Sequence, residues 1–302
     1  MRMDSNRVSS PATDSPIIDS HSHAWATWPY EPPVPDPETR GRSEQLLYEM
    51  DACGVAQAVL VSANIDHNPE NNTYVAAQVR RYPERLHQFA DVDCAWSATY
   101  HTAGAAKRLR DAAARYPIKG FTHYLRAEDD GSWLYGEEGL AFFTAAAELR
   151  LIVSISCAPH QQAALRKVAQ RFPDLPILVH HLGHPQVDHD AQLSEVLVSA
   201  QRPNIHLKLS GFYYTVADAT WDFPYRSTHE LVRALYDGFG GERLCWGSDY
   251  PVVRNFMTYR QTLEAFRTHC DFVPQDDRTM ILGANLARLL EQARPVNLEE
   301  HR

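Results

Sequence analysis

Short apolar or β-branched runs alternate along this chain with longer stretches whose apolar residues recur at helical spacing. Eight runs read as strands, at residues 16–23, 56–63, 86–93, 118–125, 151–157, 177–182, 205–211 and 244–250. Helix-like segments follow them at 43–52, 72–82, 101–116, 137–149, 161–172, 191–200 and 227–239. Two more, at 256–269 and 277–292, come after the eighth strand. Pro83, Pro117 and Pro173 each stand just past a helical stretch, where the helix must stop. Strands that alternate with helices imply parallel pairing through crossovers. Eight such units without a break predict an α/β fold, a single-domain (β/α)₈ TIM barrel over residues 16–294. A disordered tail is expected at 1–15 and a second tail at 295–302. An open doubly wound sheet is the alternative. Its usual mark is a glycine-rich turn after the first strand, but here that strand ends His21-Ser22-His23.

Length fits one large barrel or two ordinary domains: 302 residues can bury a core without staples. The net charge of −9 argues against nucleic acid as a partner, which needs clustered Lys and Arg. A small anionic substrate remains open, since one or two local arginines suffice for it. Five cysteines without a Cys-x-x-Cys argue against a disulfide framework and fit a reducing compartment. No apolar run reaches about 18 residues, so no membrane span is expected, and the cytoplasm is the default location. A homo-oligomer is compatible with the sequence, but no pattern specifies one.

Barrel enzymes carry their chemistry at the C-terminal ends of the strands. Those ends hold His21 and His23, Asp93, His123 and Arg126, Cys157, His180 and His181, Ser210, and Asp249. Side chains alternate along a strand, so Asp19, His21 and His23 should share a face. Two converging imidazoles suit one metal ion. By itself a His-x-His is more often a pair of loop histidines; its position at the end of strand one reverses that reading. Asp249 should share a face with Gly247 and Cys245. It could bind a metal or take a proton from water; the bland alternative is a helix cap. By the same alternation, only one of His180 and His181 can enter the barrel, and periodicity does not choose between them.

Four motifs in order carry a family resemblance. They are Asp19-Ser20-His21-Ser22-His23, His181-Leu182-Gly183-His184-Pro185, Lys208-Leu209-Ser210-Gly211 and Trp246-Gly247-Ser248-Asp249-Tyr250-Pro251. Together they resemble the amidohydrolase superfamily, and within it the lactonase branch that includes pyrone-dicarboxylate lactonase and sugar lactonases. The likeness runs from Ile17 to Leu290. It implies that His181 is the active-site histidine, with His180 in place of a usual Asp and His184 at the usual basic position. The familiar strand-five His and strand-four Lys are missing, which argues against a two-metal site. One divalent ion, zinc by preference, held by His21, His23 and Asp249 with His181 near or on it, is the resulting expectation. Parts of the branch act without metal, so that alternative stays open. His160 is a candidate substitute for the strand-five ligand.

No Gly-x-Ser-x-Gly elbow, P-loop or Gly-x-Gly-x-x-Gly follows a strand, which disfavours a serine route or a nucleotide site. Direct attack of water on a lactone remains. Asp249 would serve as general base, and His181 or the metal would polarise the carbonyl. Substrate contacts are expected from Arg126, Arg254, His123, Trp25, Tyr30 and Tyr213. The last three lie on aromatic-rich loops at 24–42 and 212–226, which also carry Trp28, Tyr214, Trp221, Phe223 and Tyr225 and suggest a carboxylated or aromatic lactone. Two rivals remain: a metal-dependent decarboxylase of an aromatic or muconate-type acid on the same fold, and an inactive barrel that only binds.

Overall fold

A computed structural model describes residues 15–65, 67–217 and 222–296. Most of both expected tails, and Trp221, lie outside the described residues. Among the described residues eight strands form one sheet in the order β1 (Ile17–Ser22), β2 (Val55–Val61), β3 (Leu86–Asp91), β4 (Ile118–Tyr124), β5 (Ile152–Ser156), β6 (Ile177–Val179), β7 (Ile205–Leu209) and β8 (Leu244–Trp246). All seven sequential pairs are parallel. Among the described residues the ring closes through an isolated bridge between Ser22 and Tyr250. Around it the Asp249 amide donates to the His21 carbonyl at 2.7 Å, and the His23 amide to the Tyr250 carbonyl at 2.6 Å. This is the (β/α)₈ barrel that the alternating pattern predicts.

Period-two alternation sorts the strand residues into two cores. Leu60, Phe121, Val153, Val179 and Leu207 face outward against Leu109, Phe142, Leu165 and Leu235 of the surrounding helices. Val59, Val61, Phe89, Ile152, Leu178 and Cys245 fill the barrel interior. The helix Asn285–Gln292 adds Leu286, Leu289 and Leu290 to that inner cluster and caps the N-terminal end of the barrel. Burying a side chain such as Leu286 contributes about 1.5–3 kcal/mol.

Three departures from the sequence pattern shape the mouth. β6 and β8 are only three residues long, because the chain leaves the ladder early. His181, Leu182 and His184 have φ of 46°, 60° and 59°, and Asp249 has φ of 56°, all in the left-handed region that side chains rarely adopt. Alternation therefore no longer governs these positions. β1 in turn shifts register between Asp19 and Ser22. Asp19 turns away from His21 and His23 toward the helix Tyr259–Arg267, which corrects the expectation of one shared face. Its carboxylate accepts from the Ser248 amide at 2.9 Å, the Ser248 hydroxyl, and the Tyr259 hydroxyl at 3.1 Å.

Candidate active site at the barrel mouth

His21 and His23 do converge: their Nε2 atoms lie 3.1 Å apart. Asp249 Oδ1 is 3.5 Å from the first and 3.4 Å from the second. β8 can come this close to β1 because Gly247 has no side chain; a Cβ there would lie 2.9 Å from Ser20 Oγ and 3.0 Å from His21 Cβ. The other carboxylate oxygen, Oδ2, accepts from the hydroxyls of Tyr213 and, at 3.0 Å, Tyr214. Burial pushes the Asp249 carboxyl up, but its polar neighbours, the Tyr213 hydroxyl among them, outweigh it and hold the group below the usual carboxylate range. Burial, with Asp249 alongside, keeps both tyrosines protonated by raising them well above their ordinary value.

His180 and His181 both reach the centre, against the expectation that only one could. Their ring centroids lie 4.5 and 4.6 Å from that of His21. The left-handed turn after β6 makes this possible. Burial lowers His181 to about 3, so its ring is neutral. Its Nδ1 lies 3.0 Å from Ser210 Oγ; with that hydroxyl donating, Nε2 carries the proton. Gly211, at φ 64°, permits the arrangement. A Cβ there would lie 2.4 Å from the Tyr214 ring and 2.9 Å from His181 Nδ1. His184 bonds Ser156 Oγ through Nε2 at 3.1 Å.

Lys208 was not among the expected site residues. It is fully buried on β7, with Nζ 3.1 Å from His21 Nδ1 and 2.7 Å from Ser154 Oγ. Ser154 Oγ is in turn 2.7 Å from His180 Nε2. Burial depresses the lysine to about 7. The signal was available: a lysine in the middle of Ile205-His206-Leu207-Lys208-Leu209 is an ionisable group in a buried strand. Tyr124 shares the inward face of β4 with Thr122, and its ring lies 4.9 Å from that of His180.

Other expected contacts fall elsewhere. His123 faces away from the mouth, stacked 5.4 Å from His101 and 5.5 Å from Trp133, because Thr122 and Tyr124 take the inward face of β4. Trp25 is fully buried behind His23, stacked on it at 5.1 Å, with Nε1 donating to the Ala63 carbonyl. It supports a site histidine and offers no face to a substrate. Tyr30 packs edge-on against Trp25 at 5.1 Å. Arg126 is exposed, its guanidinium 4.4 Å over the Tyr100 ring and Nε on the Ala95 carbonyl. Arg254, on the turn Val252–Asn255, acts on Tyr250. His160 is exposed and bonded to the Asp129 carbonyl, away from the histidine cluster. Tyr213 alone of the expected contacts touches Asp249 directly.

The donor set suits a metal ion. His23 Nδ1 lies 2.7 Å from the Val61 carbonyl, so it carries the proton and Nε2 presents a lone pair. Separations of 3.1, 3.5 and 3.4 Å among His21 Nε2, His23 Nε2 and Asp249 Oδ1 match the edges expected around an ion with ligands near ~2.1 Å. Donor atoms of His21, His180 and His181 also come within 4.8 Å of one another.

The Amidohydrolase family pattern matches residues 18–292, and the chain belongs to that family. An L-fucono-1,5-lactonase of Burkholderia ambifaria is 35% identical over 144 residues, 45% of this chain and 49% of that protein. The chain thus spans about half the length of this curated relative. An amidohydrolase from Burkholderia multivorans with bound zinc superposes with a TM-score of 0.73 at 19% identity, covering 92% of this chain and 99% of that one. A probable 2-pyrone-4,6-dicarboxylic acid hydrolase from Acinetobacter baumannii with bound citric acid gives a TM-score of 0.71 at 20% identity, covering 91% and 99%. These structural likenesses share the fold. Among the described residues no helix is long and apolar enough to cross a membrane.

Proposed function

We propose that the protein opens a small-molecule lactone by direct attack of water, with Asp249 as general base. The observation that carries this reading is the carboxylate itself. It is 1% exposed and held ionised, Oδ2 is fixed by two phenols, and Oδ1 faces His21 and His23. A fixed, ionised carboxylate in a dry site can take a proton from water and return it to the leaving alkoxide. The neutral His181, its Nε2–H directed by Ser210, polarises the carbonyl without carrying a charge of its own. His21, His23 and Asp249 would hold one divalent ion, zinc by preference, whose contribution when bound is Lewis acidity toward a carbonyl or water oxygen. The lactonase-named relative and the family support a cyclic ester as substrate.

The test is an indicator assay on a panel of sugar-acid lactones and pyrone carboxylates, run with wild type, Asp249→Asn and chelator-treated protein. Proton release that disappears in Asp249→Asn supports the reading, and the chelated sample reports the need for metal. Carbon dioxide release from an aromatic or muconate-type acid, with no lactone opened, overturns it.

A further inference from the structure

At the end of the barrel opposite the mouth, the turns that lead into the strands enclose a cavity of about 560 Å³. Its walls come from the turn after the helix Glu137–Glu148, the turn at 171–176, the start of β7 and the helix Asn285–Gln292. Leu151, Phe172 and Leu289 give it an apolar lining, which Arg150, Arg171 and Arg288 share. A cavity of that size suits a small organic molecule. We propose that it is a binding site for a small organic anion, a carboxylate or phosphate head group on a flat apolar body, separate from the histidine–aspartate centre.

The chain is acidic overall, at −9, yet these three arginines meet without an ion pair among the described residues. The carboxylates that could serve are engaged elsewhere: Glu148 pairs with Arg110 at 2.5 Å and Glu242 with Arg243 at 3.8 Å. Asp174 is the one acid of the lining among the described residues. The helices Glu137–Glu148 and Gln162–Arg171 end beside the cavity and add roughly half a negative charge each, so positive charge stays in excess. Neighbouring groups register that excess. Burial, then Arg288 and Arg243, lowers His206 to about 4, and burial, then Arg150 and Arg294, lowers Lys119. His206 itself lines the cavity at 5% exposure, and its Nδ1 makes no hydrogen bond among the described residues. A buried ring nitrogen left unpaired calls for a partner. The wall around it is fixed: Asn204 Nδ2 lies 3.2, 2.9 and 3.0 Å from the carbonyls of Ala169, Phe172 and Leu175 and pins the turn at 171–176. Arginine forks donate in pairs to carboxylate and phosphate oxygens. The leucines and Phe172 suit an apolar body behind that head group.

Isothermal titration calorimetry of the wild-type protein with phenyl phosphate, phthalate and benzyl alcohol tests the site and needs no turnover. At least one of the two anions should bind, and the tighter one names the head group. Neutral benzyl alcohol should bind at least about tenfold more weakly. Arg171→Gln with Arg288→Gln changes two exposed side chains, so circular dichroism should be unaltered while the affinity for the anion falls by at least about tenfold. If that double variant does not fold, Arg288→Gln alone should still weaken binding by about threefold or more. Asp249→Asn should leave the affinity within about twofold, because its carboxylate stands at the other end of the barrel. No saturable binding of either anion, equal binding of benzyl alcohol, or an affinity that the arginine variants leave unchanged overturns the proposal. An affinity that shifts with Asp249→Asn alone puts the anion at the mouth and overturns it as well.

Discussion

The two ends of this barrel are built on opposite principles. At the N-terminal end the interior is closed by hydrocarbon: Ile18, Leu286, Leu289 and Leu290 pack where no chemistry is needed. At the mouth the same interior holds Lys208, Ser154, His21, His180, His181 and Asp249, all 4% exposed or less. Such groups stabilise nothing by burial, and each must be satisfied by a neighbour. The contrast teaches where stability and activity reside. The base should carry the fold, and the mouth should carry function at the fold's expense.

The largest effect should come from Asp249→Asn, which keeps the volume and removes the base. Lactone turnover should fall by about a thousandfold or more, with circular dichroism unchanged. A variant retaining a tenth of the activity would break the division of labour. Leu286→Ala tests the other end. It should cost about 2–5 kcal/mol in urea unfolding and leave kcat within about twofold; a fall in kcat parallel to stability would show that the ends are not separable.

His206, 5% exposed near the base, sharpens the comparison through pH. Burial, then Arg288 and Arg243, lowers it to about 4. The unfolded chain therefore binds more protons between about pH 6.5 and 4. Its contribution is fully present above 6.5 and is lost as pH falls through that window. His206→Gln should flatten the stability–pH curve there by up to one proton, and an unchanged slope would place the acid sensitivity elsewhere. The smallest effect is expected for Tyr213→Phe with Tyr214→Phe. Freed of both phenols, Asp249 should lose about tenfold in kcat and little in folding stability. Full activity in that double variant would show the phenols to be packing alone.

The periodicity of the chain made all eight strands and their order legible, because the outer and inner cores follow period two. It overran at the ends of β6 and β8. There His181, Leu182, His184 and Asp249 adopt left-handed backbone, and a hydrophobic pattern carries no sign of φ. For the same reason the exclusion of one histidine of the His180–His181 pair was mistaken. Alternation applied properly within β4 would have put Tyr124 inward and His123 outward. His21, His23 and Asp249 were readable as a set because their residue types are costly at strand ends. The Lys208–Ser154–His180 connection was not readable, since it joins three strands whose registers only the folded sheet defines. The lysine itself was visible in its apolar strand.

The seam where the last strand meets the first is the shortest stretch of ladder among the described residues, an isolated bridge between Ser22 and Tyr250. What fastens it is largely a clasp of side chains, Asp19 gripping Ser248 and Tyr259. His21 and Asp249 sit on opposite lips of that clasp. A fluctuation that parts the lips takes the reaction centre apart while seven strand pairings remain closed. The protein should thus lose the proposed activity on warming before it loses its shape.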